Sequence, residues 1–82
     1  MAEKVAILGA GSWGMAIADL LSGNGHEVTL WEFDPGEFDK LNRFRTIPDK
    51  LKDFRLPESV VLTNDLSAAV VGATLIVLAV PS

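Results

Sequence analysis

Gly9, Gly11 and Gly14 stand in the spacing G-x-G-x-x-G, directly after Val5-Ala6-Ile7-Leu8 and directly before Met15 to Leu21. Glycines so spaced let backbone N–H groups close around a phosphate. Gly9 permits the tight turn, Gly11 leaves room for a pyrophosphate, and Gly14 lets the following segment pack close to the first strand. A helix starting there adds free N–H groups and the positive end of its dipole. The next residue suited to this chemistry is Glu32, about twenty positions on, where a carboxylate hydrogen-bonds the adenosine ribose of a bound dinucleotide. A phosphate cradle followed by a ribose acceptor reads as a dinucleotide site.

Such residues work only if the elements around them hold. Lys4 to Leu8 is a buried strand by its Val, Ile and Leu content, and Ser12 to about Ser22 is a helix with Ile17, Leu20 and Leu21 at helical spacing. Gly23-Asn24-Gly25 closes it, and Glu27 to Trp31 is a second strand. Asp34 is the N-cap of a second helix with Pro35 at its first position and Glu37 set to reach back. That helix turns Phe38, Leu41 and Phe44 inward and ends near Arg45. The stretch 46–57, with Pro48 and Pro57, is an irregular connection. Val60 to Thr63 is a third strand, and Asn64 caps a short helix with Leu66, Ala69, Val70 and Ala73 on one face. Thr74 to Val80, apolar on both faces, is a central fourth strand. The order βαβαβαβ with right-handed crossovers predicts an α/β, Rossmann-like doubly wound parallel sheet, strand order 3-2-1-4. The crevice then opens beyond Leu8 and Val80.

Composition narrows the function. At 82 residues there is one small domain, and a net charge of −4 speaks against nucleic acid. The basic residues other than Lys4 fall between Lys40 and Arg55 and alternate with Asp49 and Asp53, the pattern of a solvated loop. The absence of cysteine removes disulfides and thiol chemistry and fits a cytosolic, cytoplasmic enzyme. The single His26 reads as a turn residue, so neither a catalytic residue nor a metal site is assigned. No stretch reads as a membrane span: 66–82 is too short and is interrupted by Gly72, Thr74 and Pro81. A fourth strand with nothing after it to cover its edge reads as the first half of a larger cofactor domain, with self-association through that edge as the alternative.

Gly9-Ala10-Gly11-Ser12-Trp13-Gly14 and Leu78-Ala79-Val80-Pro81-Ser82 resemble the two hallmark motifs of the NAD(P)-dependent glycerol-3-phosphate dehydrogenases. Asn24 to Trp31, Leu41-Asn42-Arg43, Leu56-Pro57 and Thr63-Asn64-Asp65-Leu66 match in order and spacing. The resemblance implies hydride transfer between glycerol 3-phosphate and dihydroxyacetone phosphate. It places Ser12 and Trp13 on the pyrophosphate, Phe33 against the adenosine end, and the Ala79-Val80-Pro81-Ser82 turn near the middle of the cofactor. It also implies that residues 1–82 are the N-terminal portion of the dinucleotide-binding domain, with the catalytic and substrate domain outside this chain.

The chain departs from the family at Met15, where Thr is usual, and at Lys50-Leu51-Lys52-Asp53, where Tyr-Leu-Pro-Gly is typical. Glu32-Phe33 replaces a small residue followed by Arg or His. A carboxylate accepts from a free 2′-OH and repels a 2′-phosphate, so the expected cofactor is NAD in preference to NADP. Plainer readings stand beside these: Trp13 as a packing residue, Glu32 as an exposed strand end, Phe33 as a half-buried aromatic. Two other functions also remain: a β-hydroxy acid reductase of the same superfamily, or a stand-alone NAD(H)-sensing module.

Overall fold

The computed structural model describes residues 3–45 and 56–79, and only the backbone at Ser12 and Phe44. The expectations for residues 46–55, for Val80, Pro81 and Ser82, and for the Phe44 ring lie outside the described residues. The elements run β1 (Lys4–Leu8), α1 (Ser12–Gly23), β2 (Glu27–Trp31), α2 (Pro35–Phe44), β3 (Val61–Thr63), α3 (Leu66–Val70) and β4 (Leu75–Leu78). The strands form one parallel sheet in the order β3-β2-β1-β4, as the alternation of elements predicts. Leu8 lies between Trp31 and Leu78 in register, so β1, β2 and β4 end at one level, and the loop after β1 leaves from the middle of the sheet.

Alternation along the strands divides the core. Val5, Ile7, Val28 and Leu30 point to one face and cluster with Met15 and Ala18 of α1, Leu41 of α2, and Leu56 and Val60. Ala6 and Ala69 are buried outside that cluster, where α3 packs on β1, β2 and β3. The inward stripe of α1 is therefore Met15 and Ala18, flanked by Ile17 and Leu21, while Leu20 is 63% exposed. Leu20 recurs at a helical interval from Ile17, but the buried stripe is centred on Met15 and Ala18, nearly half a turn from Leu20.

Capping sets the second and third helices. The Asp34 carboxylate accepts from the N–H groups of Gly36 at 2.8 Å and Glu37 at 3.2 Å, with Pro35 at the first turn. The Glu37 carboxylate lies 3.7 Å from the Lys40 ammonium rather than reaching back to Asp34. The cap of α3 is Asp65, not Asn64: its carboxylate accepts from Ala68 N–H at 3.3 Å, and its own N–H donates to the Thr63 hydroxyl. Capping one residue later leaves a five-residue helix whose buried residue is Ala69, with Leu66 47% exposed.

Two strands also differ from expectation. β3 begins at Val61, with the buried Val60 ahead of it. β4 is at the edge, not the centre, among the described residues, and Ile76 and Leu78 stand 50% and 71% exposed. Apolar residues on both faces make a strand fit for a central place, but pairing decides position, and β4 pairs only with β1 here. The backbone ladder reaches past β4, since Ala79 N–H donates to the Leu8 carbonyl at 2.9 Å.

Arg45 does more than close α2. It is left-handed (φ 57°), and its guanidinium, largely buried, donates to the carbonyls of Pro57 at 2.5 Å and Val60 at 2.7 Å. Its own carbonyl accepts from Leu56 N–H at 2.8 Å. This clasp joins α2 to the approach to β3. Arg45→Ala is expected to destabilise the chain by about 2–3 kcal/mol in urea unfolding, because it strands carbonyls that a charged donor satisfied. Arg45→Gly should lose less, by up to about 1 kcal/mol, since glycine adopts positive φ freely.

Candidate dinucleotide site

The three glycines differ in what their surroundings demand. Gly9 has φ 120°, a conformation that L side chains rarely adopt, and its N–H donates to the Trp31 carbonyl at 2.9 Å. A Cβ on Gly14 would lie 1.9 Å from the Gly9 carbonyl oxygen and 3.5 Å from the Ala79 Cβ. The helix therefore crosses the end of β1 at backbone contact. Gly11 is unlike both. Its φ of −75° suits any residue, and a Cβ there would meet nothing within 4 Å. Nothing among the described residues requires a glycine at this position.

Gly11 is the N-cap of α1, with no side-chain cap and no acidic residue in the first turn. The first intrahelical bond of this turn runs from Met15 N–H to the Gly11 carbonyl at 2.9 Å. The N–H groups ahead of Met15 are left to an outside acceptor, at the positive pole of a 12-residue helix. Beside them Ala10 is buried and Trp13 is 69% exposed, so the Trp13 ring packs into no core within the described residues.

Glu32 and Phe33 follow β2 at the same end of the sheet. Glu32 is half-buried, and its N–H donates to the Thr63 carbonyl at 3.0 Å. Burial raises its carboxyl above the ordinary glutamate value. Backbone N–H groups of Asp34 and Phe33 act against that rise, and the charges of Asp34 and Glu37 add to it. Phe33 is 76% exposed rather than half-buried, and its ring meets Trp31 edge-on with centroids 6.2 Å apart. Ala79 is 8% exposed beneath the loop. Gly9, Ala10, Gly11, Ser12, Trp13, Gly14, Glu32, Phe33 and Ala79 thus share the end of the sheet where β1, β2 and β4 finish.

The opposite end carries His26, whose Nδ1 accepts from Glu3 N–H at 3.0 Å. A cavity of about 550 Å³ lies on that side, lined by Lys4, His26, Glu27, Thr29 and Ser59 among others, and no glycine-loop residue borders it. Sequence reasoning missed the Arg45 clasp and the Trp31–Phe33 pair. The pair was detectable in principle, since two aromatics two positions apart in extended chain project to one side.

The profile described as "NAD-dependent glycerol-3-phosphate dehydrogenase N-terminus" matches residues 4–82. The chain belongs to the NAD-dependent glycerol-3-phosphate dehydrogenase family. It is 46% identical over 80 residues to the glycerol-3-phosphate dehydrogenase [NAD(P)+] of Limosilactobacillus fermentum, covering 98% of this chain and 24% of that protein. It is 44% identical over 82 residues to that of a Geobacter species, again 24% of the relative. The crystal structure of the Coxiella burnetii glycerol-3-phosphate dehydrogenase superposes with a TM-score of 0.88 at 36% identity, over 99% of this chain and 25% of that one. The Saccharomyces cerevisiae enzyme gives 0.78 at 26% identity, over 99% and 27%. The chain thus spans about a quarter of the length of these glycerol-3-phosphate dehydrogenases.

The glycines make a clear contrast in stability. Gly14→Ala is expected to cost several kcal/mol or to prevent folding, since the backbone must move to admit the methyl group. Gly11→Ala should cost about 1 kcal/mol or less, the difference between these residues at an N-cap. Urea unfolding of the two variants beside the parent measures both.

Proposed function

We propose that residues 1–82 form the N-terminal portion of the dinucleotide-binding domain of a glycerol-3-phosphate dehydrogenase, and that the crevice at the ends of β1, β2 and β4 takes NAD in preference to NADP. The observation that carries this is Gly11, a glycine that the backbone does not need, at a helix N-terminus with no side-chain cap and, among the described residues, nothing in front of it. A pyrophosphate fits that space, and a side chain would fill it.

In this reading the N–H groups of Ser12 and Trp13 hold the pyrophosphate, with Gly9, Ala10 and Gly14 shaping the turn that presents them. Glu32 accepts from the adenosine ribose, Phe33 lies along the adenine, and the Ala79-Val80-Pro81 turn borders the middle of the cofactor. When bound, the cofactor would carry the hydride, which NADH would give to dihydroxyacetone phosphate and NAD would take from glycerol 3-phosphate. This chain binds and orients that cofactor. The general acid facing the substrate oxygen is assigned to no residue here, because His26 is at the far end of the sheet. No helix among the described residues is long and apolar enough to cross a membrane, and the cysteine-free composition agrees with a cytosolic setting.

NADH titration tests the cradle. Gly11→Val should retain the fold, at about 1 kcal/mol for a poorer N-cap, and lose NADH binding altogether. Unchanged NADH affinity in a folded Gly11→Val would remove the reading.

Cofactor preference should depend on pH. Glu32 holds its proton more tightly than an ordinary glutamate, so ionisation is complete only above its raised pKa. Above that point the carboxylate repels a 2′-phosphate. As pH falls through it, the repulsion disappears and the NADH-to-NADPH affinity ratio should shrink. Glu32→Gln should show a smaller ratio at neutral pH and a weaker dependence, leaving only the titration of the 2′-phosphate itself. Glu32→Ala with Phe33→Arg should favour NADPH. Tighter NADPH than NADH binding by the parent at neutral pH would overturn the preference.

A further inference from the structure

Phe33 presents a problem of support. At 76% exposure its ring has water on most sides, and the one ring contact among the described residues is with Trp31, at 6.2 Å and an interplanar angle of 62°. Trp31 is the last residue of β2 and is half-buried, with Leu8 and Thr63 beside it in register. Its indole Nε1 is shut off from water and meets no hydrogen-bond acceptor among the described residues. A buried donor without a partner lowers stability, and Phe at this position would avoid that cost while keeping an aromatic ring. Indole offers a neighbouring ring a larger aromatic surface than phenyl does.

We propose that Trp31 is a positioning residue for the adenine end of the dinucleotide: its ring braces the Phe33 ring, so that the open side of Phe33 presents a flat surface to the base. Trp31 itself does not touch the ligand in this arrangement. Its effect passes through Phe33, and a phenyl ring without that brace samples other rotamers and loses its stacking orientation. The proposal rests on the assignment of the adenosine end to Glu32 and Phe33, and its test separates the two.

The test titrates the 82-residue chain with AMP and with nicotinamide mononucleotide, followed by NMR, for the parent, Trp31→Leu, Trp31→Phe, Phe33→Ala and the double variant Trp31→Leu/Phe33→Ala. Trp31→Leu should weaken AMP binding about two- to tenfold, the range of an aromatic pair, and leave nicotinamide mononucleotide unaffected. Trp31→Phe should lie between parent and Trp31→Leu. The double variant should bind AMP no more weakly than Phe33→Ala alone, because the brace has no effect once its ring is gone. The Trp31 indole N–H resonance should shift with AMP in the parent and stay still in Phe33→Ala, a readout that holds even if Trp31→Leu does not fold. Additive losses in the double variant, or equal losses for both ligands, would show a merely structural Trp31 and overturn the proposal. If the parent binds AMP and Phe33→Ala binds it equally well, the brace fails while the crevice stands. If the parent binds neither AMP nor NADH, the dinucleotide assignment fails and the brace with it.

Discussion

The contact between Gly14 and the Gly9 carbonyl governs the rest of this structure. A hypothetical Cβ at Gly14 falls 1.9 Å from that oxygen, so α1 lies as close to the end of β1 as two backbones allow. That approach sets where the N-terminus of α1 points, and the first-turn N–H groups, without a partner among the described residues, can only serve one place in space. It also seats Met15 and Ala18 over Val5 and Ile7, which makes the same glycine the start of the core. One close contact therefore fixes both the packing of the main layer and the direction of the helix dipole.

The two faces of the sheet are unequal, and the inequality has a mechanical sense. α1 and α2 cover one face with a continuous cluster running from Val5 to Val60, clasped at its far end by Arg45. On the other face α3 has five residues and buries Ala69 alone. The better-packed layer is the one that carries the glycine loop, where we place the pyrophosphate. This is the arrangement expected where a site must be held to within fractions of an ångström.

Features that weaken the fold gather at the end of β2. Burial makes it harder for Glu32 to ionise, so its charged form costs stability above its raised pKa, while an indole donor next to it has no acceptor among the described residues and a phenyl ring beyond it is exposed. No packing requirement accounts for three such departures within three residues. Local rules tend to be broken where a chain does something other than fold, and these departures lie beside the glycine loop. Gly11 belongs with them, being a residue whose identity neither conformation nor contacts explain.

The strand order and the glycine loop were legible in the sequence because they rest on local signals. Strand runs, helix periods and the Asp34-Pro35 start each depend on residues within a turn or two, and right-handed crossovers then leave one arrangement of four strands. The family, too, was readable from Ser12-Trp13 and its neighbours, since a motif is a local object. What the sequence could not supply was anything depending on distance through space. Leu20 and Ile17 look equivalent in a helical period, yet only packing against β1 and β2 decides which faces water. Asn64 and Asp65 are both good caps, and the Thr63 hydroxyl bond to Asp65 N–H is part of what selects the second. Arg45 reads as the basic end of a helix until the chain returns eleven residues later and gives it carbonyls to hold. The three glycines look alike in the motif, but in the folded chain Gly9 is set by its φ, Gly14 by a neighbouring oxygen, and Gly11, among the described residues, by neither. A residue's type sets what it can bond to, and tertiary structure alone sets what lies within reach.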